Sequence, residues 1–230
     1  MKFKTLLFDV DDTLLDFRAT EKQALYTLFS EEQLELTQEV EQQYQLINRN
    51  LWKQFELGNI NKETISNTRF KVLFEQFGKK VDGEEMGLKY QQFLSEGHDL
   101  LGNSRQILEQ LKPHYDLYVV TNGIAKIQYK RLDDSKIRPF FNDIFVSEEI
   151  GYQKPMKEYF DYVFERIPAF EQEKALIIGD SLNSDIAGGQ KADIQTVWLN
   201  PSKQEKSSGI EPTYEIRQLD ELFTILNVDA

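Results

Sequence analysis

Four short apolar runs, Leu6–Val10 (broken by one Asp), Leu117–Val120, Ala175–Ile178 and Thr196–Leu199, with a shorter one at Ile144–Val146, restrict this chain's folding options most. Runs that are apolar without alternation belong to strands buried on both faces. Between them lie segments whose apolar residues recur at helical spacing: Ser104–Lys112, Ile127–Asp134, Lys157–Arg166 (closed by Pro168), Ser184–Ala192 and Leu219–Leu226. Strands alternating with helices predict an α/β class core, a Rossmann-like doubly wound parallel sheet covered by helices on both sides. The Pro201–Pro212 stretch, rich in Ser, Lys and Glu, reads as a mobile loop without chemistry.

One long segment interrupts this alternation. From about Thr20 to Gly97 the apolar and aromatic residues keep helical spacing, as in Leu25, Leu28 and Phe29, or Phe70, Leu73, Phe74 and Phe77. Gly58-Asn59, Gly78-Lys79 and Asp82-Gly83 punctuate it. The pattern predicts four helices with short turns, a small bundle inserted after the first strand. The expected domains are therefore a core made of 1–16 and 99–230 and a helical domain of 17–98.

Composition narrows the function classes. With 40% hydrophobic residues, including 16 Phe and 10 Tyr, the 230-residue chain can bury a sizeable core. No Cys is present, which removes disulfides, thiolate catalysis and Cys-ligated metals and suits a reducing compartment. The net charge of -12, from 39 acidic and 27 basic residues without a basic run, argues against a nucleic-acid polymer as partner. Met1-Lys2-Phe3-Lys4-Thr5 leads straight into a strand rather than a secretory apolar region, and no run is long enough to span a bilayer. A cytoplasmic protein without a membrane partner, monomeric or homodimeric, is expected. The acidic pairs Glu31-Glu32, Glu39-Glu41 and Glu84-Glu85 read as solvated helix faces.

The polar residues fall where they matter for chemistry. Asp9 and Asp11 follow the first strand, Thr121-Asn122-Gly123 the second long apolar run, and Gly179-Asp180-Ser181 the run Ala175–Ile178. Parallel sheets bind ligands beyond the carboxyl ends of their strands, so these segments should converge. Gly151-Tyr152-Gln153-Lys154-Pro155 adds a Lys in a loop fixed by Pro. In an extended backbone Asp9 and Asp11 point the same way, and two carboxylates so close call for a divalent cation, a shared proton, or both. That combination suits phosphoryl transfer through an aspartyl intermediate.

With these segments in view, the chain resembles the haloacid dehalogenase (HAD) superfamily of hydrolases over nearly its whole length. Four family motifs occur in order: Asp9-Val10-Asp11-Asp12-Thr13, Thr121, Lys154-Pro155, and Gly179-Asp180-Ser181-Leu182-Asn183-Ser184-Asp185. The helical insertion resembles a C1-type cap. Thr121-Asn122-Gly123, the run from Gly179 to Gly189 and Trp198-Leu199-Asn200 resemble the YjjG and YfnB branch, which implies a pyrimidine 5′-nucleotidase.

The resemblance implies roles for individual residues. Asp9 is the nucleophile that forms a phosphoaspartate, and Asp11 the general acid and then base, its protonated form favoured by like-charged neighbours. Mg2+ is held by the Asp9 and Asp180 carboxylates and the backbone carbonyl of Asp11, and Asp185 holds a metal-bound water or braces Lys154. Thr121, Asn122 and Gly123 bind the phosphoryl group of a small phosphate ester, a nucleoside monophosphate, while Lys154 screens the charge it shares with Asp9. Arg18 and Phe17 stand at the hinge of the cap, and Arg49, Trp52, Phe55, Arg69 and Phe70 are cap residues able to meet a base. A sugar-phosphate phosphatase, a phosphomutase and a non-catalytic phosphate-binding module remain alternatives. Dehalogenation is disfavoured, because that branch lacks the carboxylate at the position of Asp11.

Other residues have plainer readings. Capping the turn after the strand is the preferred reading for Asp12 and an alternative for Thr13, and Gly188-Gly189 permits close packing rather than cradling phosphate. Phe55, Phe70 and Trp198 are core, and His98 and His114 lie at the surface. A helix-start residue favoured by the dipole is the lesser alternative for Asp185.

Overall fold

The structure, a computed structural model, describes residues 2–206 and 209–227. The chain forms two compact units, one of residues 1–17 with 98–230 and one of 18–97. In chain order the elements are β1 (Thr5–Phe8), four long helices α1 (Phe17–Glu31), α2 (Gln38–Glu56), α3 (Lys62–Gln76) and α4 (Gly83–Glu96), then α5 (Ser104–Leu111), β2 (Asp116–Thr121) and α6 (Ala125–Asp134). They continue with β3 (Asp143–Val146), α7 (Ser147–Ile150), α8 (Lys157–Arg166), β4 (Ala175–Gly179), a π-helical turn at Leu182–Ile186, α9 (Ala187–Lys191), β5 (Gln195–Leu199), β6 (Tyr214–Ile216) and α10 (Leu222–Leu226).

The first unit is built on a six-stranded sheet in the order β3-β2-β1-β4-β5-β6, all pairs parallel. Period-two alternation divides its side chains between two cores. Leu6, Phe8, Leu117, Val119, Leu176 and Ile178 pack with Leu108 and Leu111 of α5 and Leu222 and Leu226 of α10. Leu7, Val120 and Ile177 face the opposite way, onto Tyr159, Phe160 and Val163 of α8. Both faces are thus covered, which is why the strands read as unbroken apolar runs. The order reverses at β1, whose neighbours are β2 and β4, and this reversal opens a crevice beyond the carboxyl ends of these three strands.

Several expected elements take a different form. β6 is a strand that no apolar run announces; it has three residues with a Glu at its centre, and reciprocal bonds between Thr196 and Thr213 clip it to β5 (backbone N to side-chain Oγ1, 3.1 and 3.0 Å). The helix expected from Ser184 opens earlier as the π-helical turn, where Ile186 N donates to Ser181 O, five residues back. The helix expected at Leu219–Leu226 opens as a 3-10 turn, Leu219–Glu221. The Pro201–Pro212 segment carries no helix or strand among its described residues, and 207–208 lie outside them. Gly188 and Gly189 do serve packing: a Cβ at Gly189 would stand 2.6 Å from Ile177 Cγ2 and Thr196 Cγ2.

The second unit buries Leu28, Phe29, Tyr44, Phe70, Leu73 and Tyr90 among its four helices, with Phe29 stacked on Phe74 and Tyr44 on Phe70. Thr37, Asn61 and Asp82 cap α2, α3 and α4 by accepting from backbone N–H groups of the first turn. Glu39, Glu41, Glu63, Glu84 and Glu85 sit in those first turns, where the helix dipole favours acids. Arg69 is buried here; it donates to Asn48 Oδ1 (3.3 Å) and lies over the Tyr90 ring. Phe55 and Phe70 are buried as expected, Arg49 and Arg18 are exposed, and Trp52 is half-buried.

Candidate active site

Asp9 leaves the end of β1 at the crevice, its backbone N–H donating to Ile178 O of β4 (2.9 Å). Thr121 is the last residue of β2, and Asp180 the first beyond β4, so three neighbouring strands deliver these residues to one edge. Trp198, buried in β5, donates its indole N–H to Asp180 O (2.8 Å) and fixes that backbone. Carboxylate oxygens of Asp9, Asp180 and Asp185 come within 4.8 Å of one another. The π-helical turn aims Asp185 inward, and its Oδ2 accepts from Ser181 N (3.1 Å). Gly179 makes that approach possible, since a Cβ there would meet Asp185 Oδ2 at 2.2 Å.

Lys154 joins the cluster from the loop before α8. Its ammonium, 1% exposed, donates to Asp9 Oδ1, Asp185 Oδ1 and Val120 O, each at 2.7 Å. An ammonium has three N–H bonds, so all are used, and a phosphoryl oxygen would gain one only by exchange. Lys154 therefore contributes charge and order at this site. Asn122 holds the Lys154 backbone by a pair of bonds, donating from Nδ2 to Lys154 O and accepting from Lys154 N at Oδ1, both at 2.9 Å.

The electrostatics follow from this arrangement. Burial pushes the Asp9 carboxyl up to about 7; Lys154 opposes the rise, and the Asp185 and Asp11 charges reinforce it. Asp180 is likewise raised well above the usual range, first by burial and then by Asp9 and Asp185. Burial alone would lower Lys154, but Asp185 and Asp9 more than offset it and keep the ammonium charged. Three carboxylates against one ammonium leave an excess of two negative charges, which a single divalent cation would neutralise. An all-oxygen donor set suits a hard cation such as Mg2+, so Asp9, Asp180 and Asp185 fit that role.

A pH-dependent metal effect is expected. The folded, metal-free protein binds the Asp9 proton more tightly than the unfolded chain does, so stability falls as pH rises from the ordinary 3.8 through about 7. Mg2+ needs the ionised carboxylate and relieves that loss. At saturating Mg2+, near 100 times its dissociation constant, Tm is expected to rise by about 5 °C or more at about pH 8. The rise shrinks at about pH 6, where protons compete. Thermal melts at both pH values check this, and an equal or larger shift at the lower pH would contradict it.

The strand alternation expected to aim Asp9 and Asp11 the same way does not extend to Asp11. The strand ends at Phe8, and the chain then turns, with Leu14 N and Leu15 N both donating to Val10 O (2.9 Å) and Asp12 at φ 55°. Period two holds only while the backbone stays extended. The Asp11 carboxylate lies outside the cluster of three and instead accepts from Gln128 Nε2 (2.6 Å) and from the Arg131 guanidinium. Thr121 Oγ1 accepts from Gly123 N (3.0 Å) and Gln128 Nε2 (3.2 Å), so its hydroxyl proton can point elsewhere. Gly123 leaves room for Gln128: a Cβ there would lie 2.1 Å from Gln128 Nε2. Arg18, in the first turn of α1, belongs to the helical unit.

Gln128 and Arg131 were not foreseen. They lie three apart on the buried stripe of α6, beside Ile127 and Leu132. Two polar side chains on a face otherwise apolar were the available signal. His98 and His114 are exposed, as expected.

The sequence pattern of haloacid dehalogenase-like hydrolases matches residues 6–199. The chain belongs to the haloacid dehalogenase-like hydrolase family. The HAD-hydrolase YfnB of Bacillus subtilis is 51% identical over 228 residues, covering 99% of this chain and 97% of that one. Its crystal structure bound to magnesium superposes with a TM-score of 0.95, covering 99% of this chain and 100% of that chain. The pyrimidine 5′-nucleotidase PynA of Streptococcus pneumoniae is 41% identical, covering 99% of this chain and 96% of that one. The pyrimidine 5′-nucleotidase YjjG of Escherichia coli is 30% identical, covering 98% and 99%. The parallel sheet, the motif order and these HAD relatives agree. Among the described residues no helix is long and apolar enough to cross a membrane.

Proposed function

We propose that this HAD hydrolase cleaves phosphate monoesters through a covalent phosphoryl-Asp9, and that its substrates are 5′-monophosphates of pyrimidine or modified pyrimidine nucleosides. The reading rests on one observation: Asp9 stands at the sheet crevice between a buried ammonium and two further carboxylates, with only one of its oxygens taken by Lys154. The other oxygen attacks phosphorus in line as the ester P–O bond breaks. Asp11 gives a proton to the departing alkoxide, then takes one from the water that cleaves the phosphoryl-aspartate. The Thr121 hydroxyl and the Asn122 backbone N–H donate to the phosphoryl oxygens. Asp9, Asp180 and Asp185 would hold Mg2+, which when bound would supply the positive charge that a phosphate dianion needs at this acidic site.

The leaving group would be chosen by the helical unit acting as a cap. Interdomain movement in magnesium-bound YfnB supports that assignment, and the names of PynA and YjjG support the pyrimidine class. A screen of nucleoside and sugar monophosphates, ranked by kcat/KM with Mg2+ present, is the test. Pyrimidine 5′-monophosphates are expected to exceed purine ones by at least about 10-fold. Preference for a purine or a sugar phosphate would overturn the substrate class while leaving phosphatase action standing. An isomerised sugar phosphate in place of free phosphate would identify a mutase.

A further inference from the structure

Gln128 and Arg131 form a built-in holder for Asp11 that the motif reading does not contain. Both are 1% exposed, although each carries a polar head. Their donors reach different oxygens of one carboxylate: Gln128 Nε2 meets Asp11 Oδ2 at 2.6 Å, and the guanidinium of Arg131 meets Asp11 Oδ1. The Arg131 guanidinium also lies over the Phe17 ring, 5.4 Å from its centroid. Gln128 Oε1 is buried without a hydrogen-bond partner, a burden that a side chain serving only to fill space would not carry. The amide orientation is set by its neighbours, because turning it over would bring Oε1 against the Asp11 carboxylate. Gly123 provides the space the amide occupies.

We infer that Gln128 and Arg131 are positioning residues, which fix the Asp11 carboxylate at the place and angle from which it exchanges protons with the leaving-group oxygen and with water. This rests on the phosphatase reading above. When the ester bond breaks, the Asp9 oxygen bonds to phosphorus and the Asp11 proton passes to the alkoxide. In the second half, water oxygen bonds to phosphorus, its proton passes to Asp11, and the Asp9 carboxylate is released. Both transfers need Asp11 within hydrogen-bond reach of the reacting oxygen, and a carboxylate free to rotate spends little time there.

The test separates positioning from structural support by the leaving group. Transfer of phosphoryl from an alkyl ester, such as a nucleoside monophosphate, needs the proton; transfer from p-nitrophenyl phosphate does not, because p-nitrophenolate leaves unaided. The ratio kcat/KM reports this first half-reaction for both esters. In Gln128→Met, kcat/KM for the nucleotide is expected to fall by about 30- to 100-fold and that for p-nitrophenyl phosphate by less than about 3-fold. Thr121 retains its bond from Gly123 N in this variant, so phosphoryl binding is kept. On an Asp11→Asn background, the same substitution should have no further effect, because its influence passes through Asp11. Arg131→Lys, which keeps the charge and loses the fork, carries the same test should Gln128→Met fail to fold. Equal losses on both esters, an additive loss on the Asp11→Asn background, or no loss would each overturn the inference. If the unaltered protein hydrolyses neither ester, the phosphatase reading itself has failed.

Discussion

Replacing Asp9 by Asn is expected to lower kcat for phosphate esters by at least about 1,000-fold while leaving the metal-free fold as stable as before, or more so. The amide has nearly the shape of the carboxylate but cannot form the phosphoryl ester. Lys154 keeps two of its three acceptors, Asp185 Oδ1 and Val120 O, and the substituted Oδ1 can still accept from it. The change also removes one charge from a cluster in which burial and like charges already push Asp9 up to about 7. The stability lost between the ordinary 3.8 and about 7 should therefore disappear, and melts of the variant should be flatter with pH across that range. Steady-state assays with Mg2+ and metal-free melts are the measurements. More than about one-tenth of the original kcat would remove Asp9 from the role of nucleophile.

Lys154→Met has the largest expected effect on stability. The side chain is fully buried and all its donors are satisfied, two of them by carboxylates that are themselves buried. Removing one partner of a buried ion pair leaves charge without compensation, a loss of about 3–5 kcal/mol. For a chain of this size that corresponds to a Tm lower by about 10 °C or more. The sign with pH is definite: without the ammonium Asp9 holds its proton still more strongly, so the deficit deepens as pH rises and lessens in mild acid. Mg2+ should restore part of the loss by replacing the missing positive charge. A Tm within about 2 °C of the original at about pH 8 without metal would show that Lys154 does not bind the cluster together.

Legibility differed from residue to residue for identifiable reasons. The strands Leu117–Val120 and Ala175–Ile178 were legible because a strand covered on both faces must be apolar throughout, and the observed β2 and β4 extend them by a residue or two. Asp9, Asp180, Lys154 and Thr121 could be named because they follow such strands or stand in a proline-fixed loop, whereas Asp185 came only from the resemblance to the family. Asp11 was singled out, but its partners Gln128 and Arg131 were not. Its direction depends on a turn closed by Val10 O, and alternation along a strand carries no information past that turn. Gln128 and Arg131 stayed hidden because a helix with polar members on its buried stripe looks, in sequence, like a helix with a wider solvent face. Gly123 also makes way for a glutamine amide that arrives from five residues later, a demand on its missing side chain that the sequence does not announce.

Local chemistry and spacing were enough to show the class of the fold and to point to a helical stretch after the first strand, since hydrophobic period is a property of neighbouring residues. Contacts between residues more than a hundred positions apart were decided only when the sheet assembled. Such contacts joined Lys154 to Asp9 and drew Asp11 toward Gln128 and Arg131 of α6, while Val120 and Asp185 meet Lys154 from 34 and 31 positions away. The physical reason is that hydrogen bonds and ion pairs act over a few ångströms, and which groups come that close is set by packing across the whole core.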